Sequence, residues 1–253
     1  MNDTLTVGSV TLSGNLVVLD CNDDDAPEPD YEAISVPGRN GDLHFWNGRW
    51  KNKLITYHCM CTDNARTAVP ALLTQLLAQY GYQRITDTLH TDYYKMGEYV
   101  GATIPVYSDG GKTARFDLTF DCKPQKWLLS GETEIEITST TATSPTRVPS
   151  PAGYNYPALP LLKITGYGLC RLMSPSYSVT ISSDAGVAIT SPNPIIHDCA
   201  INRTHSVNGR VSYDQYATVS IADAWADNHG FSGFSAYHAS TATLKVVPRW
   251  WKL

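Results

Sequence analysis

Short apolar and polar alternations separated by turn residues fill the first part of the chain. Leu5-Thr6-Val7, Val10-Thr11-Leu12 and Leu16-Val17-Val18-Leu19 are separated by Gly8 and by Ser13-Gly14-Asn15. A period of two places side chains alternately on the two faces of a strand, and breaks rich in Gly and Asn form turns. The pattern predicts a meander of short strands.

A helical periodicity interrupts these runs near residue 70. Apolar side chains recur there three and four residues apart, as on one face of a helix. They are Val69, Leu72, Leu73, Leu76, Leu77 and Tyr80. Asn64 or Thr67 can cap the start, Pro70 is tolerated only in the first turn, and Gly81 suits a left-handed stop. We predict one amphipathic helix, from about residue 65 to about residue 80, packed on the sheet.

Strand-like alternation returns after the helix and is clearest from Arg115 to Cys122. Within that run Phe116, Leu118 and Phe120 share one face with Cys122. Between residues 138 and 160 the composition changes to Ser, Thr, Pro and Gly, which is typical of a linker or a long surface crossing.

Short strand-like runs resume beyond residue 160, with turns between them. They are Leu161-Leu162-Lys163-Ile164, Ser178-Val179-Thr180-Ile181, Gly186-Val187-Ala188-Ile189 and Ala217-Thr218-Val219-Ser220-Ile221. We therefore predict a mainly β chain with a first domain at residues 1–137, a linker or crossing at 138–160 and a β-sandwich at 161–253.

Two adjacent tryptophans lie near the carboxyl end, where most domains fray. The strand-like run before them predicts one face with Leu244, Val246 and Trp250, and another with Lys245, Arg249 and Trp251. Pro248 marks an edge or a strand end. Since each buried indole removes roughly 150–250 Å² from water, we expect the end to be docked. Two interpretations stay open: both indoles cover a local core, or Trp251 is kept for a partner.

Composition narrows the class of protein. The 253 residues are 42% hydrophobic and 17% charged, which favours a folded chain with a sizeable core. A net charge of −5 disfavours tight binding to phosphate backbones. Without an apolar run of roughly 20 residues or a signal-peptide start, the sequence predicts a soluble protein with no membrane insertion. The six cysteines are expected to be reduced, with Cys59 and Cys61 as small core side chains.

Candidate chemistry is sparse. The acidic run from Asp20 to Asp25 resembles the start of a calcium loop, but the sixth position is Asp25 instead of Gly and the twelfth is Tyr31 instead of Glu, so a solvated acidic loop is favoured. We found no nucleotide-binding glycine loop, nucleophile elbow or paired histidine motif in the sequence. We predict no catalytic residues, no cofactor and no metal.

One segment stands apart because it holds two tight-turn signals in six residues. Pro37-Gly38 and Asn40-Gly41 flank Arg39, and Asp42 follows. Such a stiff segment would project both charges outward. It is either an ordinary hairpin tip or a contact loop between subunits, in which fixed charges set the register.

Several segments, in this order, resemble the distal tail proteins of long-tailed phages and prophages of Gram-positive bacteria. They are Val36-Pro37-Gly38-Arg39-Asn40-Gly41-Asp42-Leu43; Tyr80-Gly81-Tyr82 with Asp87 and Tyr93-Tyr94 downstream; Phe120-Asp121-Cys122-Lys123-Pro124-Gln125-Lys126-Trp127; Asn155-Tyr156-Pro157 through Leu161-Leu162-Lys163-Ile164-Thr165-Gly166-Tyr167-Gly168; and Pro248-Arg249-Trp250-Trp251. The chain departs from the family where Asp198-Cys199 is followed by Ala200, since family members often have an acidic residue there.

The resemblance implies a tail-tube-like β-barrel or sandwich with one helix, followed by a galectin-like β-sandwich. It further implies a structural role in the virion: six copies, assembled in the host cytoplasm, form a ring. The ring would join the tail tube protein to the tail-tip hub and anchor receptor-binding or upper baseplate proteins, while DNA passes through without specific binding. A closed ring uses head-to-tail contacts. The residues expected at subunit or partner contacts are Pro37, Gly38, Arg39, Asn40, Gly41, Asp42, Arg249 and Trp251.

Two other functions remain open from the sequence. A carbohydrate-binding adhesion module would need an exposed aromatic platform, for which Trp225 between Asp223 and Asp227 is the best candidate. Its alternative is a core tryptophan between two surface acids. A tail-borne cell-wall hydrolase would need a carboxylate pair or a metal set, and neither can be singled out.

Overall fold

The protein's structure is a computed structural model that describes residues 3–151, 158–174, 177–183, 194–201, 203–205, 217–223 and 233–253. These residues fall into two compact units, Met1–Trp127, which Leu253 joins, and Leu128–Lys252. The described residues are mainly β, as predicted, and their single α-helix lies in the first unit. The predicted run at 186–189 and the Asn155-Tyr156-Pro157 segment lie outside the described residues.

The first unit is built on one large sheet. Its elements are β1 (Leu5–Val7), β2 (Val10–Leu12), β3 (Leu16–Cys21), β4 (Pro29–Ile34), β5 (Leu43–Trp50), β6 (Lys53–Cys61), α1 (Ala65–Leu77), β7 (Gln83–Asp87), β8 (Tyr93–Tyr99), β9 (Val106–Ser108) and β10 (Thr113–Leu128). The sheet order is β2-β1-β7-β8-β10-β6-β3, with β9 paired to β10, whereas β4 and β5 form a separate two-stranded sheet. The predicted meander is thus confirmed for β1 and β2 but ends at β3, which pairs with β6.

The core of this unit lies between the sheet and α1. Strand β10 contributes the predicted face of Phe116, Leu118, Phe120 and Cys122, each at most 3% exposed. The helix contributes Val69, Leu72 and Leu76 to the same cluster. Cys59 and Cys61 lie there too, which confirms them as core side chains. All six cysteines are free thiols.

The helix is shorter than predicted and Pro70 lies deeper in it. Asn64 precedes the first turn with φ of 54° and no side-chain cap, and the Ala65 N–H donates to the Lys112 carbonyl. This tertiary bond sets the start, so Pro70 falls in the second turn, contrary to the prediction. Pro70 has no N–H to donate to the Arg66 carbonyl four residues earlier, so the helix lacks one hydrogen bond there, and the proline ring is exposed. Leu77 and Tyr80 are 64% and 88% exposed, so the apolar stripe ends at Leu76.

The second unit contains two antiparallel sheets. Its strands are β11 (Ile135–Ile137), β12 (Thr146–Pro149), β13 (Leu161–Gly166), β14 (Gly168–Met173), β15 (Tyr177–Ser183), β16 (Ile195–Asp198), β17 (Arg203–His205), β18 (Ala217–Asp223), β19 (Gly233–His238), β20 (Ala242–Val247) and β21 (Trp251–Lys252). The sheet orders are β11-β20-β13-β16-β17 and β12-β19-β14-β15-β18. Alternate residues of both are buried, and the His238 Nε2–H donates to the Ile137 carbonyl across them at 2.9 Å, as in a sandwich.

The unit boundary differs from the predicted domain bounds. The first unit ends at Trp127, ten residues before the predicted end of the first domain, and the predicted crossing at 138–160 contains β12. Apolar side chains at every second position explain the difference: Ile137 lies opposite Leu244, and Val148 lies opposite Phe234. The Ser, Thr and Pro content of residues 138–160 obscured the edge strand β12, and β11 lies just before that stretch.

The two terminal tryptophans divide as their alternation predicts. Trp250 is 5% exposed and stacks on Phe234 at 6.0 Å between ring centroids, while Trp251 is half-buried. Gly131 allows this close approach, since a Cβ there would lie 2.4 Å from the Trp250 nitrogen. The Leu128 N–H donates to the Trp250 carbonyl, and the Arg249 N–H donates to the Gly131 carbonyl.

Candidate subunit interface

The hairpin of β4 and β5 carries the predicted contact loop at its tip. Its strands pair from Pro29 opposite Trp50 to Ile34 opposite Leu43, with a register shift between Pro29 and Tyr31. The predicted turn at Pro37-Gly38 is present: the Arg39 N–H donates to the Val36 carbonyl at 3.1 Å, and Gly38 has φ of 79°. This conformation favours glycine at the third position of a tight turn.

Both faces of the hairpin expose large apolar side chains. Residues opposite one another in a ladder share a face, so Tyr31 and Trp46 lie on one face and Phe45, Ile34 and Leu43 lie on the other. Their exposed fractions run from 42% for Leu43 to 64% for Phe45. A two-stranded hairpin is marginal in water by itself, and clustered exposed apolar side chains mark interaction surfaces.

The face with Tyr31 is ordered by contacts within the hairpin. The Tyr31 ring stacks on the His44 imidazole at 4.4 Å between centroids, and Trp46 meets Trp50 edge-on at 6.5 Å. The Arg49 guanidinium donates to Asp30 at 2.6 Å, and this hydrogen bond lowers the pKa of the Asp30 carboxyl. These contacts hold the strands in one twist.

The base of the hairpin is fixed by a buried carboxylate, Asp23. The predicted acidic loop is solvated at Asp20, Asp24 and Asp25, but Asp23 is 1% exposed, which corrects the prediction at that position. Three ammonium groups surround it: Lys95 Nζ lies 3.0 Å away, Lys126 Nζ 3.1 Å and Lys53 Nζ 3.2 Å.

Lys95 links Asp23 to a second carboxylate. This lysine is 1% exposed, and its Nζ lies 3.1 Å from Asp87 and donates to the Tyr57 hydroxyl at 2.9 Å. The Tyr93 hydroxyl donates to Asp23 at 2.7 Å. Burial by itself raises the pKa of Asp23, but Lys95, the Tyr93 hydrogen bond and Lys126 outweigh it and lower the pKa to about 2. The Asp23 carboxylate therefore stays ionised at neutral pH.

Lys53 contributes to the base of the hairpin from strand β6. It begins β6, immediately after the hairpin, and its ammonium donates to the main-chain carbonyls of Asp23 and Asp25. The Lys51 N–H donates to the Glu28 carbonyl at 2.8 Å. The segments that enter and leave the hairpin are thus tied together and to the core.

The predicted site residues lie in two places. Pro37 to Asp42 are all exposed at the hairpin tip, and the Arg39 and Asp42 side chains have no hydrogen bond or ion pair among the described residues. Arg249 instead pairs with Asp198 of its own unit in a fork of 2.7 and 3.1 Å. Trp225 lies outside the described residues.

Sequence reasoning missed the two hairpin faces and the Asp23 cluster. A signal for the faces was available, because Tyr31, Ile34, Leu43, Phe45 and Trp46 crowd around a turn-rich loop. In the described part of the chain, no group of three or more His, Cys, Asp or Glu side chains is placed to hold a metal ion. No described helix is long and apolar enough to span a membrane.

No known family model matches the sequence, and no curated protein matches it significantly. Solved structures do match. One is the Dit protein of phage SPP1, described as a paradigm of the hub adsorption apparatus in phages that infect Gram-positive bacteria. It aligns with a TM-score of 0.65 and 12% identity, over 96% of this chain and 97% of its own. The chain has the fold of a phage Dit protein.

The Dit fold extends over both units, in agreement with the resemblance found in the sequence. Two structures of the phage p2 baseplate in its activated conformation, with strontium and with calcium, align with TM-scores of 0.47 and 0.48 at 8% identity. They cover 96% and 97% of this chain and 97% and 98% of theirs.

Proposed function

We propose that this chain is a structural protein of a phage tail tip, and that six copies form a ring joining the tail tube to the tail-tip hub. The match to the Dit fold supports the role, because it spans 96% of this chain and 97% of that hub protein. The ring would anchor receptor-binding or upper baseplate proteins. It would belong to the virion and assemble in the bacterial cytoplasm.

One observation carries the ring proposal: in the part of the chain that the structure describes, the hairpin of β4 and β5 exposes large apolar side chains on both faces. A neighbouring copy would remove this surface from water at roughly 25 cal/mol per Å² of apolar area. The ordered base at Asp23 supports the same conclusion, since a fixed arm loses little conformational freedom on docking.

The contact would be head-to-tail. In a closed ring of six, one patch of each copy meets a different patch of the next. The exposed charges Arg39 and Asp42 at the tip would set register between copies. The half-buried Trp251 at the other end of the chain is proposed as a contact for a partner, whereas Arg249 acts through its pair with Asp198.

The charge balance suits a DNA channel. A net charge of −5 gives no general attraction for phosphate, so DNA could slide through the ring without being retained. No described feature favours the carbohydrate-binding alternative, and its proposed platform, Trp225, lies outside the described residues.

The test is the mass of the purified chain in solution, measured by sedimentation and light scattering across a range of concentrations. A species of six-fold mass is expected. Phe45→Asp, at 64% exposure on the hairpin, should reduce assembly without lowering the melting temperature. Ile201→Asp, at 63% exposure in the second unit, is the matched control and should assemble normally.

Two results would contradict the proposal. If the chain stays monomeric at every concentration, the proposed ring is wrong. If assembly survives both Phe45→Asp and Arg39→Glu, the hairpin is not part of the contact between copies.

A further inference from the structure

The hairpin face opposite Tyr31 combines three aliphatic or aromatic side chains with one acid. Glu32 lies opposite Phe45, and the next pair on that face is Ile34 with Leu43. The three apolar side chains are 46%, 42% and 64% exposed for Ile34, Leu43 and Phe45. The Glu32 carboxylate is exposed and has no ion-pair partner among the described residues. We call this surface the Glu32 face.

A groove on the main sheet of the first unit has the complementary chemistry. Between β8 and β9 the chain leaves the regular ladder over residues 100–105 but stays attached to β10. The Val100 N–H donates to the Thr119 carbonyl at 3.0 Å, and the Thr103 hydroxyl donates to the Asp117 carbonyl at 2.6 Å. This detour is therefore fixed, and it borders a cavity of about 460 Å³.

The rim of the groove is aliphatic with one unpaired cation. Ile104 and Val106 are 82% and 67% exposed, the highest values for aliphatic side chains in the first unit. Arg115 lies directly opposite Val106 in the β9–β10 ladder, so the two share a face. Its guanidinium has no ion-pair partner among the described residues. We call this surface the Arg115 groove.

The other charge in the groove is already engaged. Asp117 lines the cavity, and its carboxylate lies 2.7 Å from the Nδ1 atom of His58. The groove thus contains one carboxylate that is paired with an imidazole and one guanidinium without an ion-pair partner among the described residues. Arg115 is the charge in the groove that an acidic, apolar partner surface could pair with.

We infer that the Glu32 face of one copy docks in the Arg115 groove of the next, with Glu32 against Arg115 and Phe45 against Ile104 and Val106. This rests on the proposed ring and names its two complementary patches. Each patch exposes apolar side chains and one unpaired charge, and the charges have opposite sign. Both are exposed in the single chain, so they do not cover each other, and a second copy would supply the complementary patch to each.

Charge exchange tests this pairing. Glu32→Arg and Arg115→Glu should each weaken association on the order of tenfold or more, because like charges would meet in the contact. Combining both substitutions in one chain should restore assembly. Since the contact is head-to-tail, mixing the two single variants should also restore it, in rings where the two alternate around an even number of positions.

Lys123→Glu is the matched control. Lys123 is an exposed cation on the same strand, placed 4.9 Å over the Tyr82 ring, and it lies outside the groove. This variant should assemble as the wild type does. At a protein concentration low enough to keep every variant monomeric, circular dichroism and melting temperatures should be unchanged, because each substituted side chain is exposed.

The outcomes separate the inference from the ring itself. If the wild type assembles but the exchanges at 32 and 115 have no effect, the ring stands and this pairing is wrong. If Lys123→Glu prevents assembly and compensates Glu32→Arg, the acceptor is the Tyr82 surface, which also overturns the pairing. A wild-type chain that never self-associates overturns both.

Discussion

The main sheet of the first unit and the hairpin beside it are both antiparallel and rich in apolar side chains, yet their burial is opposite. On β10, Phe116 and Phe120 are 3% and 0% exposed, whereas on β5, Phe45 and Trp46 are 64% and 49% exposed. The sheet is covered by α1 from the same chain. The hairpin has no such layer among the described residues.

The difference shows that an apolar pattern predicts a strand but not the molecule that covers it. A globular chain supplies its own covering layer, as α1 does with Val69, Leu72 and Leu76. An assembly protein can leave that layer to a neighbouring copy. Substitutions in the sheet are therefore expected to change the stability of the monomer, whereas substitutions in the hairpin are expected to change association between copies.

The largest expected effect is the loss of a core ring from the sheet. Phe120→Ala should lower the free energy of unfolding by about 3–5 kcal/mol, because it leaves a cavity where Phe120 meets Tyr57 and Tyr99 at ring-centroid distances of 5.9 and 5.7 Å. Phe45→Ala should stay within about 0.5 kcal/mol of wild type. Urea unfolding at low protein concentration measures both. Equal losses of unfolding free energy in the two variants would contradict the difference in burial between sheet and hairpin.

The carboxyl end repeats the contrast in two adjacent residues. Trp250→Ala should lower the free energy of unfolding by about 3 kcal/mol because its indole is buried against Phe234. Trp251→Ala should cost clearly less, since that indole is half-buried. Thermal melts of the two variants provide the comparison, and equal shifts would refute the division between them.

A smaller effect is expected at the base of the hairpin, where protonation of Asp23 in acid should lower the free energy of unfolding. Asp23 has its pKa lowered from 3.8 to about 2, so the folded state binds its proton less readily than the unfolded state. Its stabilisation is fully present above pH 3.8 and is lost as pH falls through about 2. At about 1.4 kcal/mol per pKa unit, it amounts to about 2 kcal/mol.

The control for this acid effect is Tyr93→Phe, which removes one hydrogen bond to Asp23. In both proteins the loss of stability begins near pH 3.8, but in Tyr93→Phe it should be smaller and should level off at a higher pH, because the pKa of Asp23 in the folded state is less depressed without this hydrogen bond. Urea unfolding between pH 2 and pH 5 measures both curves. Parallel curves for the two proteins would show that Asp23 does not control this acid transition.

Sequence periodicity captured features that depend on neighbours along the chain. The buried face of β10, the helix after Asn64 and the inward side of Trp250 all follow from local alternation. The turn at Pro37-Gly38 followed from residue chemistry alone. The resemblance to distal tail proteins, formed from five ordered segments, anticipated the Dit fold.

Local sequence patterns did not predict the features that depend on contacts between residues far apart in the chain. Asp23 was taken for a solvated acid because its partners, Lys95 and Lys126, lie 72 and 103 residues further along the chain. Pro70 lies in the second turn of α1 because the helix begins at Ala65, whose N–H donates to the Lys112 carbonyl. The edge strand that contains Val148 forms because Val148 pairs with Phe234. In each case a tertiary partner overrides the local residue preference.

The buried thiols give the molecule a practical property. Burial raises the pKa of Cys59, Cys122, Cys170 and Cys199 to about 12, and it raises that of the half-buried Cys21 to about 11. Because thiolates are the reactive form, these groups react slowly with maleimides at neutral pH. A single Asn40→Cys substitution at the hairpin tip could then carry a fluorophore selectively, and energy transfer between labelled tips would report any association between copies in real time.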